Sequence, residues 1–337
     1  MNAYYQPIVR MGCVKSTHSQ WLAGGTCWFD QVVIHQRGTK TRTAPLHDVP
    51  AEVLERLTAP RAPIAGMMMD APRIMGILNV TPDSFSDGGR FTACDRAVDH
   101  AMAMVGQGAD MIDVGGESTR PGALTVNLDD EIARTAPVIA AIRAQSDVPI
   151  SIDTRKAAVA RAAIMAGATL INDVSAFGYD PALAQVAAQS GRPVCLMHAK
   201  GDPETMQQDP RYDDVLLDVY DYLSARIDLA VAAGVSRAQI VVDPGIGFGK
   251  TMDHNLALLR GLALFHGLGC PVLLGASRKK FIGTIGGGAL ATDRTAGSVA
   301  VALHGARQGV QILRVHDTFE TKQALDLEWA INGADRS

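Results

Sequence analysis

Polar side chains follow a series of short apolar runs in the second part of this 337-residue sequence. In chain order they are Asn79, Asp113, Asp153, Asn172 with Asp173, His198, Asp243, Ser277, and Arg314 with His316. Carboxylate and amide oxygens can accept parallel hydrogen bonds, which suits the N–H edge of a flat heterocycle. Arginine, lysine and histidine side chains bind anions such as phosphate. If these residues converge, they could hold a flat ring and a phosphate side by side.

Helix capping is a simpler explanation for any one of these acids or amides, because Asp and Asn often cap the helix that follows a strand. Capping does not explain the cations, since a positive side chain gains nothing at the positive end of a helix. The candidate anion-binding residues are Arg120, Arg278, Lys279, Arg314 and His316. The pattern as a whole therefore favours one shared site. His198 is interpreted as structural, because no carboxylate stands at a ligand spacing from it.

Eight apolar runs alternate with segments of helical period after about residue 73. The runs are RIMGILNV, MIDVGG, VPISIDT, TLINDVS, RPVCLMH, QIVVDPG, PVLLGAS and VQILRVHD. The predicted helices between them include 156–166, 181–190, 215–233, 255–262, 295–308 and 319–331. This alternation is typical of an α/β protein with a (β/α)8 TIM barrel, in which the carboxyl ends of the strands meet on one face. A doubly wound sheet with a second domain is the alternative.

Residues 1–72 precede the alternation and are predicted to form a small N-terminal extension or cap, so that residues 73–337 form the barrel. The segment GGTCWFDQVVIHQRG is typical of strands and turns. The segment TAPLHDVPAEVLERLTAP contains a short amphipathic helical pattern before a proline-rich stretch. We therefore expect a small element that packs against the barrel.

The composition argues against several classes of function. Apolar residues make up 47% of the chain and charged residues 20%, which is typical of a globular protein. A net charge of −4 without a basic cluster argues against nucleic acid as a partner. The longest uncharged stretch is interrupted by glycine and proline, which argues against a membrane span. Five scattered cysteines without a C-x-x-C pair suggest a reducing cytoplasm.

Eight segments, in order, resemble the motif series of the dihydropteroate synthase family. They are ILNVTPDSFSDGG, IDVGGESTRPGA, SIDTRK, INDVSA, LMHAKGDPETMQ, DPGIGFGK, GASRKKFIG and RVHD. The resemblance spans about residues 73–330. It implies a barrel enzyme of folate biosynthesis that condenses 6-hydroxymethyl-7,8-dihydropterin diphosphate with p-aminobenzoate, giving 7,8-dihydropteroate and pyrophosphate. It also implies small-molecule substrates, a homodimer and a sulfonamide target.

The resemblance further implies a role for each matching residue. The pterin would contact Asp113, Asp153, Asn172, Met197, Asp243, Phe248 and Lys279. The diphosphate would contact Asn79, Arg120, Arg314 and His316, with Mg²⁺ on Asn79, and the catalytic residues would be Asp153, Lys279, Arg314 and His316. The p-aminobenzoate would lie among Pro82, Phe85, Thr119, Pro121 and Lys280. The loop NVTPDSFSDGG would act as a lid over the pyrophosphate.

Lys280 departs from the family pattern, in which a serine that often follows Ser-Arg-Lys bonds the p-aminobenzoate carboxylate. Lys280 could reach that carboxylate as a point charge or could point into solvent, which leaves the sulfonamide response open. Met197 and Phe248 could equally be ordinary core residues. Two other functions stay as alternatives. A pterin-binding methyltransferase would not need the cationic diphosphate site, and a catalytically silent homologue would bind pterin without turnover.

Overall fold

The computed structural model describes residues 3–12, 16–81, 90–118, 122–201 and 205–332. The described residues of its N-terminal part form two small antiparallel sheets and one α-helix. The elements are β1 (Tyr4–Pro7), β2 (Gln20–Trp21), β3 (Trp28–Phe29), β4 (Gln31–His35), β5 (Arg42–Pro45) and α1 (Ala51–Thr58). Strands pair in the order β1-β4-β5, and β2 pairs with β3.

This N-terminal part has an apolar core of its own. In β4, Val32 and Ile34 are buried on one face, as the period of two in a strand requires. In α1, Val53 and Leu57 lie four residues apart and are buried on one side of the helix. Together with Phe29 they form the centre of one cluster. The strand and helix predicted in this segment are therefore present.

Eight parallel strands follow and form a ring. They are β6 (Arg73–Asn79), β7 (Met111–Gly115), β8 (Ile150–Asp153), β9 (Leu170–Asp173), β10 (Val194–Met197), β11 (Ile240–Asp243), β12 (Leu273–Leu274) and β13 (Ile312–Val315). Their order in the sheet is β11-β10-β9-β8-β7-β6-β13-β12. A parallel bridge between Val242 and Val272 joins the two remaining edges. The prediction of a (β/α)8 barrel is confirmed, and the doubly wound alternative is wrong.

Helices cover the outside of the ring. They are α2 (Arg90–Gly106), α3 (Leu128–Arg143), α4 (Ala157–Ala166), α5 (Ala182–Ser190), α6 (Val215–Ala232), α7 (Met252–Arg260), α8 (Lys280–Gly286), α9 (Thr295–Arg307) and α10 (Thr318–Asn332). The predicted helices agree within one or two residues, except α7, which begins three residues earlier than predicted. Thr251 accepts a hydrogen bond from the His254 N–H, and this cap sets the start of α7. No helix in the described ranges has the length and apolar character that a membrane span needs.

The amino-terminal mouth of the barrel is sealed by apolar side chains. Met75, Met111 and Leu170 lie inside the ring near the starts of their strands and are fully buried. Ile64 and Met69, from the segment that leads into β6, pack into the same cluster and are 0% and 1% exposed. The chain before the barrel thus supplies part of the barrel interior.

Candidate active site

The register of the strands brings polar residues into one row at the opposite, carboxyl-terminal mouth. Asn79 is the strand partner of Gly115, Gly115 of Asp153, and Asp153 of Asn172. Gly115 leaves the space between its neighbours open, because a Cβ there would lie 3.6 Å from both the Asn79 Oδ1 and the Asp153 Cβ. The amide oxygen of Asn79 and the carboxylate of Asp153 therefore face the same space.

Arg314 links the carboxylates of this mouth. Its Nε donates to Asp113 Oδ2 at 2.6 Å, and its Nη2 donates to Asp153 Oδ2 at 2.7 Å. Asn172 Nδ2 donates to both Asp113 oxygens at 3.3 and 3.4 Å. Asp113 and Asp153 are 0% and 7% exposed, so both ion pairs are shielded from water.

The mouth brings buried groups of both charges close together. Three buried carboxylates, Asp113, Asp153 and Asp243, face two cations, Arg314 and Lys279. Burial is the main reason that the pKa of Asp153 is raised to about 7, and repulsion from Asp113 adds to this effect against the attraction of Arg314. The Oδ1 of Asp153 is buried without a hydrogen-bond partner among the described residues. A ligand that donates a hydrogen bond or carries positive charge would complete this cluster.

Lys279 enters the mouth from the loop after β12. The preceding residue, Arg278, has a φ of 58°, and this left-handed turn separates the two cationic side chains. The Lys279 Nζ donates to the carbonyl of Ile246 and lies 4.2 Å from the centre of the Phe248 ring. Burial lowers the pKa of Lys279 to about 7, although Asp243 acts in the opposite direction.

Asp243 is held in place by the turn that follows β11. Its Oδ1 accepts a hydrogen bond from the Gly245 N–H at 2.7 Å, and burial raises the pKa of its carboxyl. Gly245 has a φ of 68°, and a Cβ there would come within 1.9 Å of the His198 carbonyl oxygen. Only glycine fits this turn. The Met197 side chain lies beside the same turn, so Met197, Asp243 and Phe248 border one region.

His316 lies next to this cluster and is oriented by Ser277. The Ser277 Oγ is 3.2 Å from the backbone nitrogen of His316 and 3.0 Å from its ring Nδ1. Arg278, which the sequence placed with the anion-binding residues, instead pairs with Asp317, with its Nε 3.1 Å from Asp317 Oδ2. The left-handed turn directs Arg278 to the start of α10, and its predicted role in anion binding stays a prediction.

The structure describes most of the predicted site residues, with two groups of exceptions. Pro82 and Phe85 of the first loop, and Thr119, Arg120 and Pro121 of the second, lie outside the described residues. Lys280 is the first residue of α8 and is exposed. The predicted roles of these six residues, like those of the other site residues, stay predictions.

A buried ionic network, missed in the sequence, supports the second loop. Lys156 Nζ is 3.0 Å from Glu117 Oε1, 2.6 Å from Glu131 Oε2 and 2.6 Å from the Val126 carbonyl oxygen. Glu117 also pairs with Arg155 at 3.0 Å and accepts from the Val126 N–H at 2.8 Å. Two acids and two cations thus join the ends of this loop. In the sequence, only the adjacent cations Arg155 and Lys156 hinted at this network, because their acidic partners are distant in the chain.

The chain matches a family model described as "Pterin binding enzyme" over residues 75–316. It is 47% identical to dihydropteroate synthase of Escherichia coli strain K12 over 257 residues, which cover 75% of this chain and 89% of the relative. This chain belongs to the dihydropteroate synthase family.

Solved structures of dihydropteroate synthases agree with this assignment. A Xanthomonas albilineans dihydropteroate synthase with 4-aminobenzoic acid is 45% identical, with a TM-score of 0.77, and the match covers 82% of this chain and 100% of that one. A Yersinia pestis dihydropteroate synthase in a sulfonamide drug complex is 45% identical with a TM-score of 0.75, over 80% and 97% of the two chains. The predictions of the family, the fold and an enzyme of folate biosynthesis are confirmed.

The donor set of the mouth fits the magnesium ion expected of a dihydropteroate synthase. Within the described residues, no three His, Cys, Asp or Glu side chains are grouped so that they could hold a metal alone. Mg²⁺ is a hard cation that usually takes one or two protein oxygens and fills its remaining positions with water and substrate phosphates. The Asn79 oxygen beside the Asp153 carboxylate is a donor of that kind.

Proposed function

We propose that this chain condenses 6-hydroxymethyl-7,8-dihydropterin diphosphate with p-aminobenzoate, releasing pyrophosphate and 7,8-dihydropteroate. The observation that carries the proposal is the convergence of Asp153, Asn172 and Asp243 with Arg314 and Lys279 in one buried mouth. Hydrogen-bond acceptors for a flat ring and cations for a diphosphate thus occupy adjacent positions. A pterin-binding methyltransferase would not need these cations.

In the proposed complex the pterin lies on the acidic side of the mouth. The Asp243 carboxylate accepts two parallel N–H bonds from the pterin edge, since the Gly245 N–H occupies only one of its lone pairs. Asn172 bonds a second edge of the ring. Met197 and Phe248 pack on the ring, and Lys279 donates to it from the opposite side of the pocket. Asp113 holds Arg314 and Asn172 in position.

The reaction is a displacement at the methylene carbon of the pterin. The C–O bond to the diphosphate breaks with both electrons on oxygen, and the dihydropterin ring delocalises the positive charge that remains. Arg314 and His316, with Arg120, bind the departing pyrophosphate, and the carboxylate of Asp153 stabilises the cation. The arylamine nitrogen of p-aminobenzoate then forms the new C–N bond and loses a proton. No protein nucleophile takes part.

Asn79 would hold Mg²⁺ together with the substrate diphosphate. When bound, the metal ion would neutralise charge on the leaving group. The role of the chain is to offer a neutral oxygen donor there, because a further carboxylate would repel the diphosphate. The proposal is supported by the position of the Asn79 amide beside Asp153 in the strand row.

The p-aminobenzoate is proposed to lie among Pro82, Phe85, Thr119 and Pro121, with its carboxylate near Lys280. The exposed position of Lys280 at the start of α8 supports a role as a point charge. Lys280→Ala should raise the KM for p-aminobenzoate by about threefold, and salt should weaken the effect. A KM that does not change would mean that Lys280 points into solvent.

The chain is further proposed to act as a homodimer in the cytoplasm. Exposed apolar side chains on and beside α8 and α10 support self-association, among them Ile285, Leu290 and Phe319. The four cysteines in the described part of the chain are free thiols, as a reducing compartment requires. Sedimentation of the purified chain tests the dimer, and a monomer at micromolar concentration would refute it.

Incubation with both substrates and Mg²⁺ tests the proposed activity. Dihydropteroate and pyrophosphate should form in equal amounts, and omission of p-aminobenzoate should stop dihydropteroate formation. Arg314→Met should lose turnover, whereas substitution of the exposed Met165 to Ala should not change it. Pterin binding without product would identify a silent homologue. Methyl transfer from a methylated folate would identify the methyltransferase.

A further inference from the structure

A further buried lysine, Lys250, stands at the end of the loop that follows β11. It is 3% exposed, burial lowers its pKa well below the usual range, and its side-chain nitrogen is surrounded by hydrogen-bond acceptors. The Nζ lies 2.8 Å from His198 Nδ1, 3.0 Å from the Phe248 carbonyl oxygen and 3.3 Å from the His198 carbonyl oxygen. Burial lowers the pKa of His198 to about 2, so its neutral ring accepts from Lys250 at physiological pH. Lys250 therefore ties its own loop to the end of β10.

The loop from Pro244 to Lys250 is packed closely against that strand end. Gly249 has a φ of 63°, and a Cβ there would lie 2.3 Å from the Lys200 carbonyl oxygen. A Cβ at Gly245 would come still closer, 1.9 Å from the His198 carbonyl oxygen. The Gly247 N–H donates to Asn255 Oδ1 at 2.7 Å, which fixes the middle of the loop to α7. The backbone of this loop thus has little freedom once Lys250 is bonded.

The same loop contacts the side-chain nitrogen of Lys279. The carbonyl of Ile246 accepts from the Lys279 Nζ, and the Phe248 ring lies 4.2 Å beneath that nitrogen. The residue that provides the ring also provides the carbonyl that Lys250 bonds. A continuous set of contacts therefore runs from Lys250 through Phe248 to Lys279.

We infer that Lys250 is a positioning residue, which fixes the Ile246–Phe248 segment and thereby places the Lys279 ammonium for the pterin. The inference rests on the proposed role of Lys279 in pterin binding. Lys250 does not touch the substrate in this arrangement. Its replacement should weaken pterin binding and leave the KM for p-aminobenzoate unchanged, because that substrate is proposed to lie on other loops.

A double-mutant cycle of Lys250→Met and Lys279→Met tests this coupling, with the dissociation constant of the pterin as the readout. Each single variant should weaken binding by about tenfold or more, and the double variant should be no weaker than Lys279→Met alone. Lys200→Met is the matched control, because Lys200 is an exposed lysine on the neighbouring loop that packs on Tyr212. It should bind pterin as the native chain does.

Two results would overturn the inference alone. In the first, the factors by which Lys250→Met and Lys279→Met raise the dissociation constant of the pterin multiply in the double variant. In the second, Lys250→Met binds pterin with native affinity. Native affinity in Lys279→Met would instead overturn the role of Lys279, and the inference with it. If Lys250→Met does not fold, Lys250→Gln replaces it in the cycle. Its amide can still donate to the Phe248 carbonyl, so Lys250→Gln should weaken pterin binding less than Lys250→Met. In the Lys279→Met background, Lys250→Gln should cause no further loss of affinity.

Discussion

The two mouths of the barrel are built from the same eight strands but have opposite chemistry. At the amino-terminal mouth, Met75, Met111 and Leu170 pack with Ile64 from the preceding segment, and no water-accessible surface is left on these residues. At the carboxyl-terminal mouth, buried Asp113 and Asp153 share one arginine, and one oxygen of Asp153 has no partner among the described residues. The apolar residues of the amino-terminal mouth are fully packed, whereas the polar cluster of the carboxyl-terminal mouth still includes this oxygen, which could accept a hydrogen bond.

This difference separates stability from function. Apolar burial at the amino-terminal mouth stabilises the fold whether or not a ligand is present. The charged cluster at the other mouth carries a desolvation cost, which a ligand that donates hydrogen bonds would relieve. A substitution at the first mouth should thus reduce stability alone, whereas a substitution at the second should change ligand binding and the pH dependence of stability.

Loss of Arg314 should have the largest effect. Arg314→Met leaves Asp113 and Asp153 buried without their cation, which should cost about 3 to 5 kcal/mol of unfolding free energy at neutral pH. The loss should be smaller near pH 5, where Asp153 takes up a proton. Denaturant unfolding at both pH values measures the effect. An equal loss at the two pH values would show that lost packing, and not unpaired charge, is the cause.

Ile64→Ala tests how much the apolar packing at the amino-terminal mouth contributes to stability. Removing this side chain from a fully buried position should cost about 2 to 4 kcal/mol of unfolding free energy, because a cavity remains in the barrel interior. The KM values for both substrates should not change in the folded fraction. Met68→Ala is the control, since Met68 is 52% exposed and should alter stability by less than about 0.5 kcal/mol. A changed pterin KM in Ile64→Ala would mean that the two mouths are coupled.

The pH dependence of stability should single out Asp153. Its pKa is raised from 3.8 to about 7, so the folded chain holds this proton more tightly than the unfolded chain. The stabilisation is therefore complete below about pH 4 and is lost as the pH rises through about 7. Asp153→Asn stays neutral, so its stability relative to the native chain should rise by about 4 kcal/mol over that window. A difference that does not vary with pH would contradict the raised pKa.

Much of this architecture could be predicted from sequence, because strand ends are marked locally. Each apolar run ends in a polar residue, and the parallel topology then brings Asp153, Asn172 and Asp243 to one mouth. The choice of partners could not be predicted. Arg278 pairs with Asp317 because of a left-handed turn. Lys250, in the loop after β11, bonds His198, in the loop after β10. Such contacts depend on backbone turns that no local pattern specifies.

The packing of the N-terminal segment against the barrel also could not be predicted from the sequence pattern. Its strands and helix follow from alternation and from the spacing of Val53 and Leu57. Nothing in the pattern indicates that Ile64 and Met69 enter the barrel interior. That arrangement depends on the shape of the open barrel end, which exists only after the eight strands have closed.

The affinity of Asp243→Asn for a pterin, measured by calorimetry, tests most directly whether the charged mouth is the pterin site. Asparagine can keep the bond from the Gly245 N–H, so the fold and its unfolding free energy should be preserved. The charged acceptor for two parallel N–H groups is lost, and binding should weaken by about 2 to 4 kcal/mol. Native stability together with an affinity within about threefold of the native chain would contradict the assignment of this mouth.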